Sequence, residues 1–451
     1  MRKLLAITLL FSSFLASSSF AQTDSVKPKE VDKVAKEVSE NSKVVEVTDS
    51  ISAKLTNIID DYASQKGIVF GKSLGNRIFV YSIKVVDKSP DDPYFGEARV
   101  IAFEKAWLDA QKQIALYLVR DIASQTYNQL FRNASEGAEN VKLSNWDVLK
   151  AKIAGLTDAA LNKALQKLGV DPSKFGELSI DKKKRLLFDT FVKTVVRKTY
   201  AELSGTVILQ TFEGEKEGSY AVAVIAMYSP KLKYLAQAML HKQYPGFRGK
   251  IGHPISYYLP KSPAGYLGSW GVRVVIDEDN YPALISFGQW SYAYRGNNKI
   301  EKERRREYAF EQASVLADSY IAEFLNSRLF SEEMTKVGGT VETNAVFHNG
   351  DTFVQTADRI VNIQSKKIKR TSKARISGIY TVKRKLLRLP SGQEVAVVVK
   401  VWSYRSMKGA DALRKDYIPN RKGDKGHKKH VKAGNGSFII HGRDMTDIND
   451  F

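Results

Sequence analysis

The chain contains no cysteine. That excludes disulfides, thiol nucleophiles and thiolate metal sites together. Histidine is scarce as well, with six in 451 residues. His427 and His430 sit among Lys425, Lys428, Lys429 and Lys432, a field that repels a metal cation. Adding His441 and Asp444 does not outweigh it, and His253, ahead of Pro254, reads as a turn residue. The sequence therefore implies no metal and no cofactor. Long apolar runs are missing too: after residue 21 nothing reaches the roughly 20 apolar residues that a bilayer span needs. No Gly-x-Ser-x-Gly stands in a strand–turn–helix context. In GIVFGKS, residues 67–73, three residues separate the glycines. A phosphate loop needs four, and it should follow a strand rather than precede one.

Acid is in deficit. Against 70 Lys and Arg there are 49 Asp and Glu, a formal net charge of +21. Such a field attracts anionic partners at long range and weakens with salt. Hydrophobic content of 43% fits globular domains rather than disorder.

Residues 1–21 have the form of a secretory signal. Arg2 and Lys3 precede an apolar stretch at 4–15, and Ser19 and Ala21 place small residues before a cut at Gln22. No cysteine follows the cut, so no lipid anchor is expected. The expected location is periplasmic or secreted. Residues 22–43 are polar and read as a linker. From Val44 to Tyr62 apolar residues recur near helical spacing and predict an amphipathic helix that docks on the first domain.

A repeat dominates what remains. Residues 102–118 (AFEKAWLDAQKQIALYL) and 309–325 (AFEQASVLADSYIAEFL) align without a gap and are identical at eight of seventeen positions. Both copies place an aromatic, two alanines, isoleucine and an aromatic at helical spacing: Phe103, Ala106, Ala110, Ile114 and Tyr117, then Phe310, Ala313, Ala317, Ile321 and Phe324. Small central residues let a helix approach a sheet closely, so the stripe reads as core. Each helix follows an alternating strand, at 77–86 and 283–293. Each precedes a hairpin, at 203–229 and 376–403. Leu203-Ser204-Gly205 matches Ile376-Ser377-Gly378, and Tyr228-Ser229 matches Trp402-Ser403. Residues 270–276 and the turn at 277–280 add a further hairpin.

The expected fold class is α+β: two related strand–helix–strand–strand domains, each a small antiparallel or mixed sheet with helices on one face. The first domain spans 44–229, with a helical insertion at 121–200. A connector fills 230–269 and the second domain 270–404. Residues 405–432 carry ten Lys or Arg against three Asp, so the tail from 405 to 451 reads as disordered, with a short apolar island at 437–441.

The duplicated helix AFEKAWLDAQKQIA and AFEQASVLADSYIA, with its two hairpins behind a signal peptide, resembles the N-terminal and middle domains of flagellar assembly protein T. It also resembles related small envelope lipoproteins of Gram-negative bacteria. The resemblance covers about half of the mature chain. It implies a periplasmic, non-enzymatic envelope or assembly protein, and it brings no catalytic residues.

Glu104 and Glu311 recur at one repeat position. In separate domains they do not form an acid–base pair, and they read as helix-surface carboxylates. The strongest charge run is 359–388, with eleven Lys or Arg and no acid. Lys366, Lys367, Lys369, Arg370, Lys373 and Arg375 lead into the hairpin, and Lys383, Arg384, Lys385 and Arg388 lie within it. Alternation would present Lys383 and Lys385 on one face. These ten residues are the candidate anion-binding site. Their structural counterpart is an edge strand whose lysines block edge-to-edge aggregation.

The function expected from these features is that of an exported scaffold acting through protein–protein contacts, with an envelope protein or a second copy as partner. The alternative is a binder of nucleic acid, lipopolysaccharide or acidic glycan through 359–388 and 405–432, and a third reading is a hydrolase whose site is assembled between the domains.

Overall fold

The computed structural model describes residues 50–131, 141–336, 352–357, 360–361 and 376–415. The expected signal and linker, the basic residues from Lys366 to Arg375 and residues 416–451 lie outside them. Both repeat copies belong to one compact unit.

Helix α1, Ile51–Lys66, starts where the Ser50 side chain accepts a hydrogen bond from the Ala53 N–H. It stops at Gly67, whose φ of 64° suits a residue without Cβ. GIVFGKS is therefore a helix end followed by the two-residue strand β1, Ser73–Leu74. Ile51, Leu55, Ile59 and Ala63 form the buried face of α1. That face docks on the first sheet, with Tyr62 edge-on to Phe212 at 5.8 Å.

Copy one continues with β2 (Arg77–Val85) and the long helix α2 (Phe95–Phe131). Three insertion helices follow: α3 (Asp147–Ala154), α4 (Asp158–Lys167) and α5 (Ile180–Glu202). The hairpin β3 (Val207–Lys216) and β4 (Ser219–Tyr228) completes the sheet, and helix α6 (Pro230–Leu240) follows. Two short helices, α7 (Ile255–Tyr258) and α8 (Pro263–Leu267), lead to copy two. There β5 (Gly271–Ile276) and β6 (Pro282–Ser291) precede α9 (Lys299–Lys336). The hairpin β7 (Tyr380–Arg388) and β8 (Glu394–Trp402) and helix α10 (Tyr404–Lys415) end the described chain.

The sheets run β1-β2-β4-β3 and β5-β6-β8-β7, antiparallel throughout. The fold is α+β, and its two halves share one topology. The likeness extends to irregularities. β3 is bulged between Ile208 and Gln210, opposite Ala226 and Ile225. β7 is bulged between Thr381 and Lys383, opposite the corresponding Lys400 and Val399. The Ser-Gly pairs also have a shared purpose. Gly205 (φ +80°) and Gly378 (φ +93°) each press against the backbone of the helix that follows the hairpin. An added Cβ would lie 2.4 Å from Leu232 C and 2.6 Å from Met407 Cα.

That trailing helix corrects two expected boundaries. α6 and α10 occupy the same place in each copy, and Ser229 and Ser403 cap them through their side-chain oxygens. The unit is strand–helix–strand–strand–helix, so cuts at 230 and 405 divide it. Residues 405–415, expected as disordered tail, are helical and bury Met407 against the core. The copies also share one continuous buried cluster that includes Phe103, Val224, Trp270, Phe287 and Val399. The insertion joins them further: α5 packs on both α2 and α9. At its edge Trp146 meets Phe353 at 4.4 Å.

The alanine stripes face the sheets. Ala106, Ala110, Ala313 and Ala317 are fully buried. In copy two the approach is closest at Gly288, where an added Cβ would lie 1.9 Å from Ala313 O. Next to it the Ser286 hydroxyl donates to Ala317 O at 2.7 Å.

Candidate functional site

Two arginines missed by the seventeen-residue alignment organise the region where the copies meet. Arg99 and Arg306 stand three residues before Ala102 and Ala309, at the same repeat position. Each forms a two-pronged ion pair with a glutamate of its own hairpin. Arg99 donates from Nε and Nη2 to the two Glu213 oxygens, at 2.6 and 2.7 Å. Arg306 donates likewise to Glu394, at 2.8 and 2.7 Å.

The two environments differ. Arg99 and Glu213 side chains are both 0% exposed. Glu213 also accepts from the Tyr220 hydroxyl (2.9 Å) and the Trp270 indole (2.5 Å). The guanidinium lies 4.6 Å from the Trp270 ring centroid and donates to Leu267 O and to the Gln289 amide oxygen. Gln289 and Trp270 belong to copy two, so this cluster ties the copies together. Burial pulls the Arg99 pKa down, but the charge of Glu213 and the Tyr220 contact outweigh it and hold the group above its ordinary value. Burial, then Glu213, raises the Tyr220 hydroxyl, which stays a proton donor.

Around Glu394 the field is more open and more basic. Besides Arg306 it receives Tyr292 (2.5 Å), Arg388 (3.2 Å) and Lys302 (3.3 Å). Hydrogen bonding from Arg306 in the first place holds its carboxyl far below the usual range. Burial, then the bond to Glu394, pushes Tyr292 up to about 12.

The hairpin edges differ most. In β3, residues 207–211 are all buried. Residues 267–273 cover them: Arg273 donates to Ile208 O (2.8 Å) and Thr211 Oγ1 (3.2 Å), and Thr211 donates to Gly268 O (2.6 Å). Gly271 lies so close that a Cβ would meet Ile208 Cδ1 at 2.2 Å. In β7 the matching residues are open. Tyr380, Thr381, Lys383, Arg384 and Arg388 are exposed. Register across the hairpins sets Lys383, Arg384 and Lys385 where copy one has Gln210, Thr211 and Phe212.

Four of the ten expected basic residues thus lie together on β7; the other six fall outside the described residues. Charge occupies both faces of the strand, not the one face that alternation of Lys383 and Lys385 suggested. Arg384 lies over the Phe310 ring at 4.6 Å, and Lys385 over Tyr266 at 4.9 Å. Phe310 is therefore the counterpart of Phe103, which in copy one stacks on Trp270 at 4.4 Å.

The paired glutamates diverge as well. Glu104 accepts from the Tyr320 hydroxyl and helps join α2 to α9, whereas Glu311 is exposed. His253 stacks on Tyr257 at 4.1 Å. Among the described residues no three His, Asp or Glu gather as a metal would require, and no helix is long and apolar enough to cross a membrane. A groove of roughly 260 Å³ opens where the copies meet, between α1, the β3–β4 hairpin and the β7–β8 turn. Ile51, Leu55, Phe95, Tyr220, Leu389 and Pro390 supply most of its apolar wall.

Comparison with known proteins adds architecture. Residues 146–241 match the family described as "Domain of unknown function (DUF6844)", a stretch that takes in the insertion helices, the β3–β4 hairpin and α6. The 2.3 Å crystal structure of hypothetical protein FTT1539c from Francisella tularensis is similar over 83% of this chain and 99% of that one. The TM-score is 0.50 and the identity 22%, so the likeness concerns the fold. No curated protein matches the sequence. Neither likeness involves flagellar assembly protein T.

Proposed function

We propose that this protein is an exported, non-enzymatic scaffold or assembly protein of the cell envelope, acting through protein–protein contacts. One observation carries the reading. The two copies present the same edge, covered in copy one by residues 267–273 and open in copy two. The molecule uses this edge once for its own assembly, and the second instance faces outward. The signal-like residues 1–21 support export. The resemblance to envelope assembly proteins agrees with it.

A second reading, binding to an anionic polymer, draws on the same edge, because Lys383, Arg384 and Arg388 stand exposed on it. It predicts affinity that collapses with salt for any polyanion.

Photo-crosslinking separates the two. A photoreactive residue at Thr381 of the full chain, expressed in its host, should give discrete protein adducts. The same group at Gln210, on the covered edge, should give none. Absence of protein adducts from Thr381, with nucleic acid or glycan captured instead, would overturn the scaffold reading.

A further inference from the structure

We infer that β7 is the docking edge for an acidic, extended polypeptide segment, which lies along Tyr380–Arg388 as residues 267–273 lie along β3. The inference rests on the scaffold reading and gives the partner its chemistry.

Copy one is the template. Its edge is flanked by a stretch entering strand β5, with Gly268 O accepting from Thr211 and the Arg273 guanidinium seated on the carbonyl of Ile208, just before the bulge. There the cover meets neutral groups of the edge: the Arg273 guanidinium donates to Ile208 O and Thr211 Oγ1. In copy two the matching edge is basic. The edge carries Lys383, Arg384, Lys385 and Arg388, so the complementary cover carries carboxylates. The cations are already placed: Arg384 rests on Phe310, Lys385 on Tyr266, and Arg388 reaches Glu394. A carboxylate arriving there meets donors that lose little side-chain freedom on binding.

Lysines and bulges are also the common means of keeping an edge strand solitary. The bulge does not argue for that here, since β3 has it at the same place under full cover. It belongs to the inherited unit and not to the exposed edge alone. An outer edge of a sheet still offers backbone N–H and C=O groups to an extended chain, as in other strand-addition complexes.

The test uses the full chain and a fluorescein-labelled nine-residue peptide alternating Glu with Val, matched to the nine residues of β7. Anisotropy should show saturable binding. Lys383→Glu with Lys385→Glu should weaken it about tenfold or more, as loss of close charge pairs does. Lys163→Glu, on a distant exposed helix position, should leave it unchanged. N-methylation of alternate peptide amides should also weaken it, which a purely ionic contact would not show. Circular dichroism checks folding, and Lys383→Ser alone serves if the double variant fails to fold. Binding indifferent to both the β7 substitutions and N-methylation would overturn the inference. So would equal competition by sodium polyphosphate or phosphatidylglycerol vesicles at matched charge, which would point to a polymer or a membrane surface. If the peptide fails to bind while Thr381 still crosslinks to protein, the acidic-segment inference falls and the scaffold reading stands.

Discussion

Replacing Arg99 with leucine should lower the unfolding free energy by about 3–5 kcal/mol, the usual cost of stranding one partner of a buried ion pair. Glu213 would keep only Tyr220 and Trp270 as donors, in a site with no exposure to water. Gln289 and Leu267 would lose their link to copy one at the same time. Arg306→Leu in copy two should cost much less, because its side chain is 24% exposed and Glu394 keeps Lys302, Arg388 and Tyr292. The double variant Arg99→Leu/Glu213→Leu should recover much of the loss, since it leaves no unpaired charge behind. Urea denaturation of the three variants measures this. Near-equal losses for Arg99→Leu and Arg306→Leu would contradict the proposed difference between the copies.

Gly288→Ala is the second large effect. The new methyl would stand 1.9 Å from Ala313 O and 2.7 Å from Ala317 N, both backbone atoms of α9. Neither can step aside alone, so the helix must lift from the sheet. Overpacking of this kind costs about 1–3 kcal/mol, and more where backbone is displaced. Copy one offers the control. Pairing across β4 and β8 sets Ser82 at the position of Gly288. There the hydroxyl donates to Asp109 at 2.8 Å, so a side chain already fits. Ser82→Ala should cost about 1 kcal/mol, a single hydrogen bond. A shift in urea midpoint for Gly288→Ala no larger than for Ser82→Ala would show that the close approach of α9 is not needed.

Much of the architecture was legible because period and composition carry it. Phe103-x-x-Ala106-x-x-x-Ala110 and its second copy announced both long helices, since one face must be apolar and small to pack on a sheet. The Ser-Gly pairs marked the hairpins because the left-handed backbone and tight helix contact at Gly205 and Gly378 leave no room for Cβ. The two arginine–glutamate pairs were not legible. Arg99 pairs with Glu213 on β3, but Arg306 pairs with Glu394 on β8, so the acids share no repeat position. Extending the alignment three residues upstream would have exposed the arginines, though Val100-Ile101 and Glu307-Tyr308 hide the link. Helix α10 was lost in a strongly basic composition, although Tyr404 and Met407 give it a buried side. The cover on β3 was invisible, because nothing in a linear pattern says which edge of a sheet meets a neighbour.

Amide hydrogen exchange on the full chain, without partner, tests the central claim most directly: one edge, built twice, is closed in copy one and open in copy two. The account predicts far slower exchange for residues 207–211 of β3 than for the matching residues 380–384 of β7, since opening of the covered edge requires parting the two copies. Equal protection at the two edges, or stronger protection on β7, would contradict it.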